Sequence, residues 1–123
     1  MKFDNKKKTF VYIGRFQPFH EGHYKLIKSV LKKNDQILIL IMDSYGINKK
    51  NPFKFSYVKK KILEKISLEF KGRYKIIKIP VVKSVIYGRK VGYKIKKVKL
   101  NKNIEKISAT KIRKKLNFSR INN

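Results

Sequence analysis

The chain has 123 residues, enough for one hydrophobic core and too few for two, so we expect a single compact domain. Hydrophobic residues make up 41% of the chain, which excludes wholesale disorder despite a formal net charge of +27. The absence of cysteine excludes disulfides, thiolate metal sites and thiol nucleophiles, and fits a reducing compartment.

The first predicted elements are a strand and a helix. After a basic extension at residues 1–8, Thr9 to Gly14 are mostly β-branched or aromatic and end in glycine, as in a buried strand. From Glu21 onward, apolar residues recur at helical spacing, and Asn34 is a stop signal near the end of that helix. A strand-to-helix loop therefore occupies the residues between them.

The next two elements repeat this order. Gln36 to Asp43 is a continuous apolar run, the pattern of a strand with both faces covered in a parallel sheet. Turn-forming residues follow, and then a helix that we expect Gly72 to end. The apolar residues of that second helix are spaced by four: Val58, Ile62, Ile66 and Phe70.

Three further strands are predicted, at Tyr74 to Pro80, Val85 to Tyr87 and Tyr93 to Leu100. The link between the first two is too short for a normal crossover helix, so their connection stays open. The order of elements predicts an α/β fold, a Rossmann-like three-layer α/β/α domain with a mainly parallel sheet of 4–5 strands. We place this domain at residues 9–117 and a tail at 118–123.

The loop before the first helix carries the sequence GRFQPFHEGH at residues 14–23, with the chain's only two histidines, His20 and His23. On the first turn of a helix both imidazoles project to one side, beside backbone N–H groups that lack an intrahelical acceptor. The helix dipole strengthens this anion site. We therefore predict that a triphosphate lies across the helix N-terminus, close to Gly22, with Gly14 keeping its path clear of a side chain.

Two other interpretations of the histidine pair remain. A His-x-x-His pair can belong to a zinc site, but with no third histidine the site would need carboxylates from only seven acidic residues. Alternatively, the two histidines only cap and pad the helix.

A second motif, ISATKIR at residues 107–113, predicts the start of the last helix. Ser108 is a good N-cap residue, and Ile107 and Ile112 fit the hydrophobic staple of a helix start. Lys111 is locally unfavourable at the positive end of the helix dipole, and an anionic ligand would offset this. An ordinary capped helix with solvated lysines is the alternative.

Together the two motifs resemble the HxGH nucleotidylyltransferase superfamily, in the GRFQPFHxGH form of archaeal-type nicotinamide mononucleotide adenylyltransferases and related cytidylyltransferase-like domains. The second motif is similar to the superfamily's ISxTxxR signature. The resemblance implies that His20 and His23 contact the triphosphate and stabilise the pentavalent transition state. It implies that Arg15 contacts phosphate and that Gly14, Phe16 and Gly22 shape the nucleotide pocket. It also implies a β- and γ-phosphate site at Ser108, Thr110 and Arg113.

Other positions agree less well with the superfamily. Arg89 follows a predicted strand at the edge where α/β sheets bind ligands, so a nucleotide contact and a solvated arginine are both open. Similar sequences tend to have acidic residues where Val81 and Lys90 stand, and an arginine where Val58 stands. The chain also lacks tryptophan and a helix between the third and fourth strands, which weakens a pyridine-nucleotide acceptor specifically.

We therefore expect a nucleotidylyltransferase that uses a nucleoside triphosphate, ATP first and CTP second, with Mg²⁺, a small phosphate- or oxyanion-bearing acceptor and pyrophosphate as leaving group. A nucleotide- or nucleic-acid-binding module without turnover is the alternative. Of the 34 basic residues only five are arginine, which suggests a coding bias towards lysine rather than a physiological nucleic-acid partner. Without a signal peptide or membrane span we expect a cytoplasmic protein; homo-oligomerisation stays open.

Overall fold

The structure is a computed structural model that describes residues 2–43, 52–89 and 92–98. Strands and helices alternate along these residues, as the sequence predicts. Their bounds are β1 Phe10–Gly14, α1 Glu21–Val30, β2 Ile37–Met42, α2 Phe55–Ile66 and β3 Tyr74–Ile79. Neither described helix has the length and apolar character needed to cross a membrane.

The three described strands form one parallel sheet in the order β1-β2-β3. Phe10 pairs with Ile37 of β2, and Ile37 pairs with Tyr74 of β3. Crossovers between parallel strands are right-handed, so two successive crossovers in one direction place both helices on the same face. The carboxyl ends of the strands therefore meet at one edge of the sheet, at Gly14, Met42 and Ile79.

The core lies between the sheet and the two helices. Ile37, Ile39 and Ile41 of β2 point towards the helices and are at most 1% exposed. The spacing by four in the second helix is confirmed, because all four of its predicted apolar residues are buried. The buried hydrophobic residues are Phe16, Phe19, Ile27, Leu31, Ile37, Ile39, Ile41, Phe53, Val58, Ile62, Ile66 and Phe70.

The opposite face of the sheet is less covered. Val11 is 55% exposed and Ile13 is 37% exposed, and they pair with Leu38 and Leu40 on that face. No helix within the described ranges packs there, so these residues build two of the three predicted layers. The parallel α/β architecture is confirmed, with fewer strands than predicted.

The predicted fourth strand at Val85 to Tyr87 is wrong. These residues are exposed and belong to no strand, and residues 93–98 of the predicted fifth strand also lie outside any ladder. A parallel strand needs a crossover of about a dozen residues to return to the same end of the sheet. The short link after β3 does not supply one. The predicted last helix, from Ser108, lies outside the described residues.

Two residues predicted to end the helices lie instead in the turns after them. α1 ends at Val30 with Leu31 as an extended C-cap, and Asn34 adopts a φ of 73° in the turn before β2. α2 ends at Ile66, and Gly72 adopts a φ of 75° in the turn before β3. Both residues supply the left-handed backbone that a tight turn into a strand requires.

A buried polar residue ties the N-terminal extension to the sheet. Gln36 is 2% exposed at the amino end of β2. Its Oε1 accepts a hydrogen bond from Asp4 N at 3.0 Å, and its Nε2 donates to Asp4 O at 2.7 Å and to Thr9 Oγ1 at 2.5 Å. The amide of Gln36 is thereby satisfied in the interior, as a buried polar group must be.

Candidate active site

The loop that joins β1 to α1 folds back over the end of its own strand. Phe16 adopts a φ of 52° and its ring packs beside Gly14. A Cβ at Gly14 would lie 2.8 Å from Cζ of Phe16, closer than side chains approach. The sequence-based reason for Gly14 was access for the nucleotide; in the structure its missing side chain first makes room for Phe16.

The two histidines form a capping box at the start of α1. His20 is the N-cap residue, and its Nδ1 accepts a hydrogen bond from Gly22 N at 3.0 Å. In return, Nδ1 of His23 accepts from His20 N at 3.0 Å. This is the reciprocal arrangement that Ser or Thr and Glu usually make, with imidazoles in both positions. The motif thus stabilises the helix start with the side chains expected to contact phosphate.

The capping box determines the tautomer of both rings. A neutral imidazole whose Nδ1 accepts a hydrogen bond carries its proton on Nε2. No described residue accepts a hydrogen bond from either Nε2–H. The sequence predicted a row of free backbone amides for the anion; instead His20 occupies Gly22 N–H, and two imidazole N–H groups are available in its place. Imidazoles reach further from the helix than amides do.

Aromatic rings surround His23. Its ring stacks on His20, with centroids 3.8 Å apart and 25° between the planes, in agreement with their spacing on one side of the helix. It also stacks on Phe19 at 5.4 Å, and Phe16 meets it edge-on at 5.0 Å. Tyr12 of β1 packs against Phe16 at 5.1 Å. The imidazole of His23 is therefore held from several directions.

This packing keeps both histidines neutral. Burial, and secondarily the charge of His20, lower the pKa of His23 from 6.5 to about 3. Burial also lowers the pKa of His20. Burial raises the pKa of the Tyr12 hydroxyl to about 12, so it also stays uncharged. At neutral pH the site offers N–H donors without a fixed charge.

Glu21 is the acidic group nearest the helix start, and two lysines offset its charge. Its carboxylate lies 3.7 Å from Lys25 Nζ and 3.3 Å from Lys65 Nζ. All three side chains are about half exposed to solvent, so each pair contributes little stability. The two lysines therefore act locally: they offset the negative charge of Glu21 beside the positive end of the α1 dipole.

The part of the chain that forms this site is similar in sequence to known proteins. The cytidylyltransferase-like family matches residues 11–69, from β1 through α2. A nicotinamide-nucleotide adenylyltransferase of Thermoplasma acidophilum is 44% identical over 54 residues, which cover 43% of this chain and 30% of that protein. One from Methanolobus tindarius is 51% identical over 43 residues, 34% of this chain and 25% of that protein.

The family match and these relatives support the resemblance to the HxGH nucleotidylyltransferase superfamily. A nicotinamide/nicotinic acid mononucleotide adenylyltransferase of Acinetobacter baylyi is 36% identical over a longer stretch of 79 residues, 63% of this chain and 40% of that protein. The chain thus matches between a quarter and two fifths of the length of these relatives. The residues that the cytidylyltransferase-like family matches include the loop and helix that hold the histidine pair.

The other predicted site residues differ in their exposure and in their place in the fold. Arg15 is exposed directly after β1, at the edge of the sheet where the carboxyl ends of the strands meet, which we call the ligand edge. Gly22 and Phe16 are buried and support the histidines. Arg89 is exposed and makes no hydrogen bond or ion pair with another described residue. The predicted phosphate-binding residues Ser108, Thr110 and Arg113 lie outside the described residues.

The departures from the superfamily pattern also differ in their surroundings. Val58 is fully buried in α2 and belongs to the core, while its neighbour Lys59 is exposed. Val81 is 43% exposed just after β3. Lys90 lies outside the described residues. Position 58 therefore serves packing in this chain.

Gln17 is the main site residue that sequence reasoning missed. It lies inside the motif, is 6% exposed, and forms two hydrogen bonds with the backbone of Phe53. The available signal was an amide between Phe16 and Pro18, since a polar side chain among apolar neighbours requires a partner when it is buried. The identity of that partner, 36 residues away, had no signal in the sequence.

The described residues do not assemble a protein metal cage. No three side chains of His, Cys, Asp or Glu come together among them. Asp43, which follows β2 at the ligand edge, has its Oδ2 3.9 Å from Lys78 Nζ. The zinc interpretation of the histidine pair therefore lacks the further ligands that it needs within this part of the chain.

Proposed function

We propose that this protein is a nucleotidylyltransferase that transfers AMP from ATP to a small phosphate-bearing acceptor and releases pyrophosphate. The observation that carries the proposal is the stacked pair His20 and His23 at the start of α1, each with its Nε2–H unaccepted by any described residue. Two preoriented donors beside the positive end of a helix dipole suit an oxyanion whose charge grows during reaction.

The neutral state of the histidines supports donation rather than general base catalysis. Each Nδ1 is engaged in the capping box and each Nε2 carries a proton, so neither ring has a free lone pair. A phosphate acceptor is already deprotonated at neutral pH and needs no base. The protein's part in such a transfer is positioning and stabilisation of charge.

The proposed step is an in-line displacement at the α-phosphorus. An oxygen of the acceptor phosphate forms a bond to the α-phosphorus, while the bond between the α-phosphorus and the oxygen that bridges to the β-phosphate breaks. Pyrophosphate leaves with that electron pair. His20 and His23 donate hydrogen bonds to the non-bridging α-phosphate oxygens, where charge develops in the transition state.

The relatives favour ATP over CTP as the donor, because all three are named as adenylyltransferases. Their names point to mononucleotides as acceptors, and we propose a phosphate-bearing acceptor of that class. Mg²⁺ would enter as part of the substrate, bound by triphosphate oxygens, since magnesium sites commonly combine few carboxylates with substrate phosphates. Among the described carboxylates, Asp43 directly follows β2, at the carboxyl edge of the sheet.

The first experiment measures binding and turnover with the full chain. Thermal shift with Mg²⁺ and each of ATP, CTP, GTP and UTP, at high salt to suppress generic polyanion binding, should show a shift selective for ATP. Pyrophosphate release with nicotinamide mononucleotide, nicotinic acid mononucleotide and other phosphate acceptors should identify the acceptor. His20→Asn is the control that should lose the release.

The outcomes separate the competing functions. A base-selective shift, with no release of pyrophosphate from the nucleotide in the presence of any acceptor, would favour a nucleotide-binding module without turnover. Equal shifts for all four nucleotides, lost steeply as salt rises, would indicate polyanion binding by the basic surface and would refute the proposal.

A further inference from the structure

Gln17 connects two loops that are distant in the sequence. Its Nε2 donates to Phe53 O at 2.9 Å, and its Oε1 accepts from Phe53 N at 2.8 Å. Gln17 and Phe53 are 6% and 2% exposed, so water does not compete for these bonds. The amide side chain therefore pairs with the backbone of Phe53 as a neighbouring strand would. Breaking this pair takes away the partner that Gln17 offers to the buried N–H and C=O groups of Phe53.

On one side, this pair holds the loop that carries the histidines. Gln17 follows Phe16, which meets His23 edge-on at 5.0 Å, and precedes Phe19, which stacks on His23 at 5.4 Å. Both phenylalanines are buried. A displacement of the backbone at Gln17 would therefore move the rings that hold the imidazole of His23.

On the other side, the pair is anchored to α2. The ring of Phe53 is buried and stacks on Tyr57 of α2, with centroids 4.7 Å apart and 8° between the planes. Val58, in the next position of α2, is fully buried in the core. The backbone of Phe53 is thus attached to a helix that buries Val58, Ile62 and Ile66 in the core, and Gln17 links the histidine loop to that helix.

We propose that Gln17 is a positioning residue of the nucleotidyl transfer: through Phe53 it sets the place of the loop that aims His20 and His23 at the α-phosphate. This inference rests on the proposed function. Donors that act on a transition state must be held within a fraction of an ångström, and a displacement of about 1 Å costs on the order of 100-fold in rate. Gln17 acts on the rate without touching the reacting atoms.

The chain offers a matched control for the test. Gln17→Met keeps the length and volume of the side chain and removes both hydrogen bonds to Phe53, and Gln17→Asn keeps an amide too short to reach both backbone groups. Gln36 is also a buried glutamine with two hydrogen bonds to one backbone position, Asp4 N and O, but it lies at the amino end of β2, away from the ligand edge. Gln36→Met therefore reproduces the loss of a buried amide without disturbing the histidine loop.

Two measurements separate positioning from stability. The pKa of His23 can be followed by NMR, since the chain has only two histidines. In both Gln17 variants it should move up from about 3 towards the ordinary value of 6.5, because the loosened aromatic packing admits water. In steady-state kinetics kcat should fall about 10- to 100-fold, with KM for ATP changed less. Gln36→Met should leave both quantities at the wild-type level.

The result that overturns the inference is a pair of Gln17 variants whose His23 pKa and kcat match those of Gln36→Met. If Gln17→Met does not fold, Gln17→Asn decides alone. If the wild-type protein transfers no nucleotide, the proposed function fails, and the NMR measurement by itself decides whether Gln17 positions the histidine loop. A His23 pKa that stays at the wild-type value in folded Gln17→Asn would then refute it.

Discussion

Replacing His20 with asparagine should separate its two roles. In the structure His20 caps α1 by accepting from Gly22 N, and we propose that its Nε2–H donates to the α-phosphate. Asparagine is among the best N-cap residues and can accept the same bond, but it does not extend as far as Nε2 of an imidazole. His20→Asn should therefore keep the cap and lose the phosphate contact, whereas His20→Ala should lose both.

The expected magnitudes follow from the two contacts. Loss of an N-cap costs about 1 kcal/mol, with a range of about 0.5–2 kcal/mol. Both variants also lose the stacking on His23 at 3.8 Å, so their difference in stability isolates the cap. Removing one preoriented donor to a developing oxyanion costs about 100- to 1,000-fold in kcat, or about 2.7–4 kcal/mol of transition-state stabilisation.

Urea denaturation and pyrophosphate release measure the two effects separately. His20→Asn should be more stable than His20→Ala by about 1 kcal/mol, and both should show the same loss of kcat. Equal stability of the two variants would show that His20 does not cap the helix. A wild-type kcat in His20→Asn would refute its role as phosphate donor.

Three further predictions concern the same loop. Because the folded-state pKa values of both histidines lie below 6.5, the unfolded chain binds more protons below that pH, and the free energy of unfolding should fall as pH drops from 6.5 towards 3. His23 contributes up to about 1.4 kcal/mol per pH unit to this slope. His23→Gln should flatten it, because glutamine also suits the capping box but does not titrate. Equal slopes of the wild-type protein and His23→Gln in urea denaturation would contradict the burial of His23. Long-range proton–nitrogen NMR near neutral pH should show both rings as Nε2–H tautomers, and a proton on Nδ1 of either ring would exclude the capping box. Gly14→Ala should destabilise the fold by about 1–3 kcal/mol in urea denaturation, because its Cβ would strike the buried ring of Phe16 at 2.8 Å. The control Gly88→Ala, whose Cβ would have no neighbour within 4 Å, should change stability by less than about 0.5 kcal/mol, and equal effects of the two changes would contradict this account of Gly14.

Patterns with a short period were sufficient to predict the described elements. The spacing by four in α2 predicted both the type of element and its buried face, because it depends on the local geometry of a helix. The apolar run of β2 predicted a strand but not which face is buried, since it indicated that both faces are covered, and β2 alternates between buried and half-buried residues. The strand predicted at Val85 to Tyr87 failed for the complementary reason. A strand exists only where a neighbour pairs with it, and three apolar residues after a short link do not specify that neighbour.

Residue type and spacing along the chain are enough to predict the α/β order, the core face of α2 and the loop in which the two histidines meet. The folded chain adds that Gln17 pairs with Phe53, that Phe16 and Phe19 pack on His23, and that Nδ1 of both imidazoles accepts a hydrogen bond from the backbone. These features arise from contacts between segments brought together by the packing of the sheet and helices. The partner of a buried polar group is selected by that packing, and no local pattern records it.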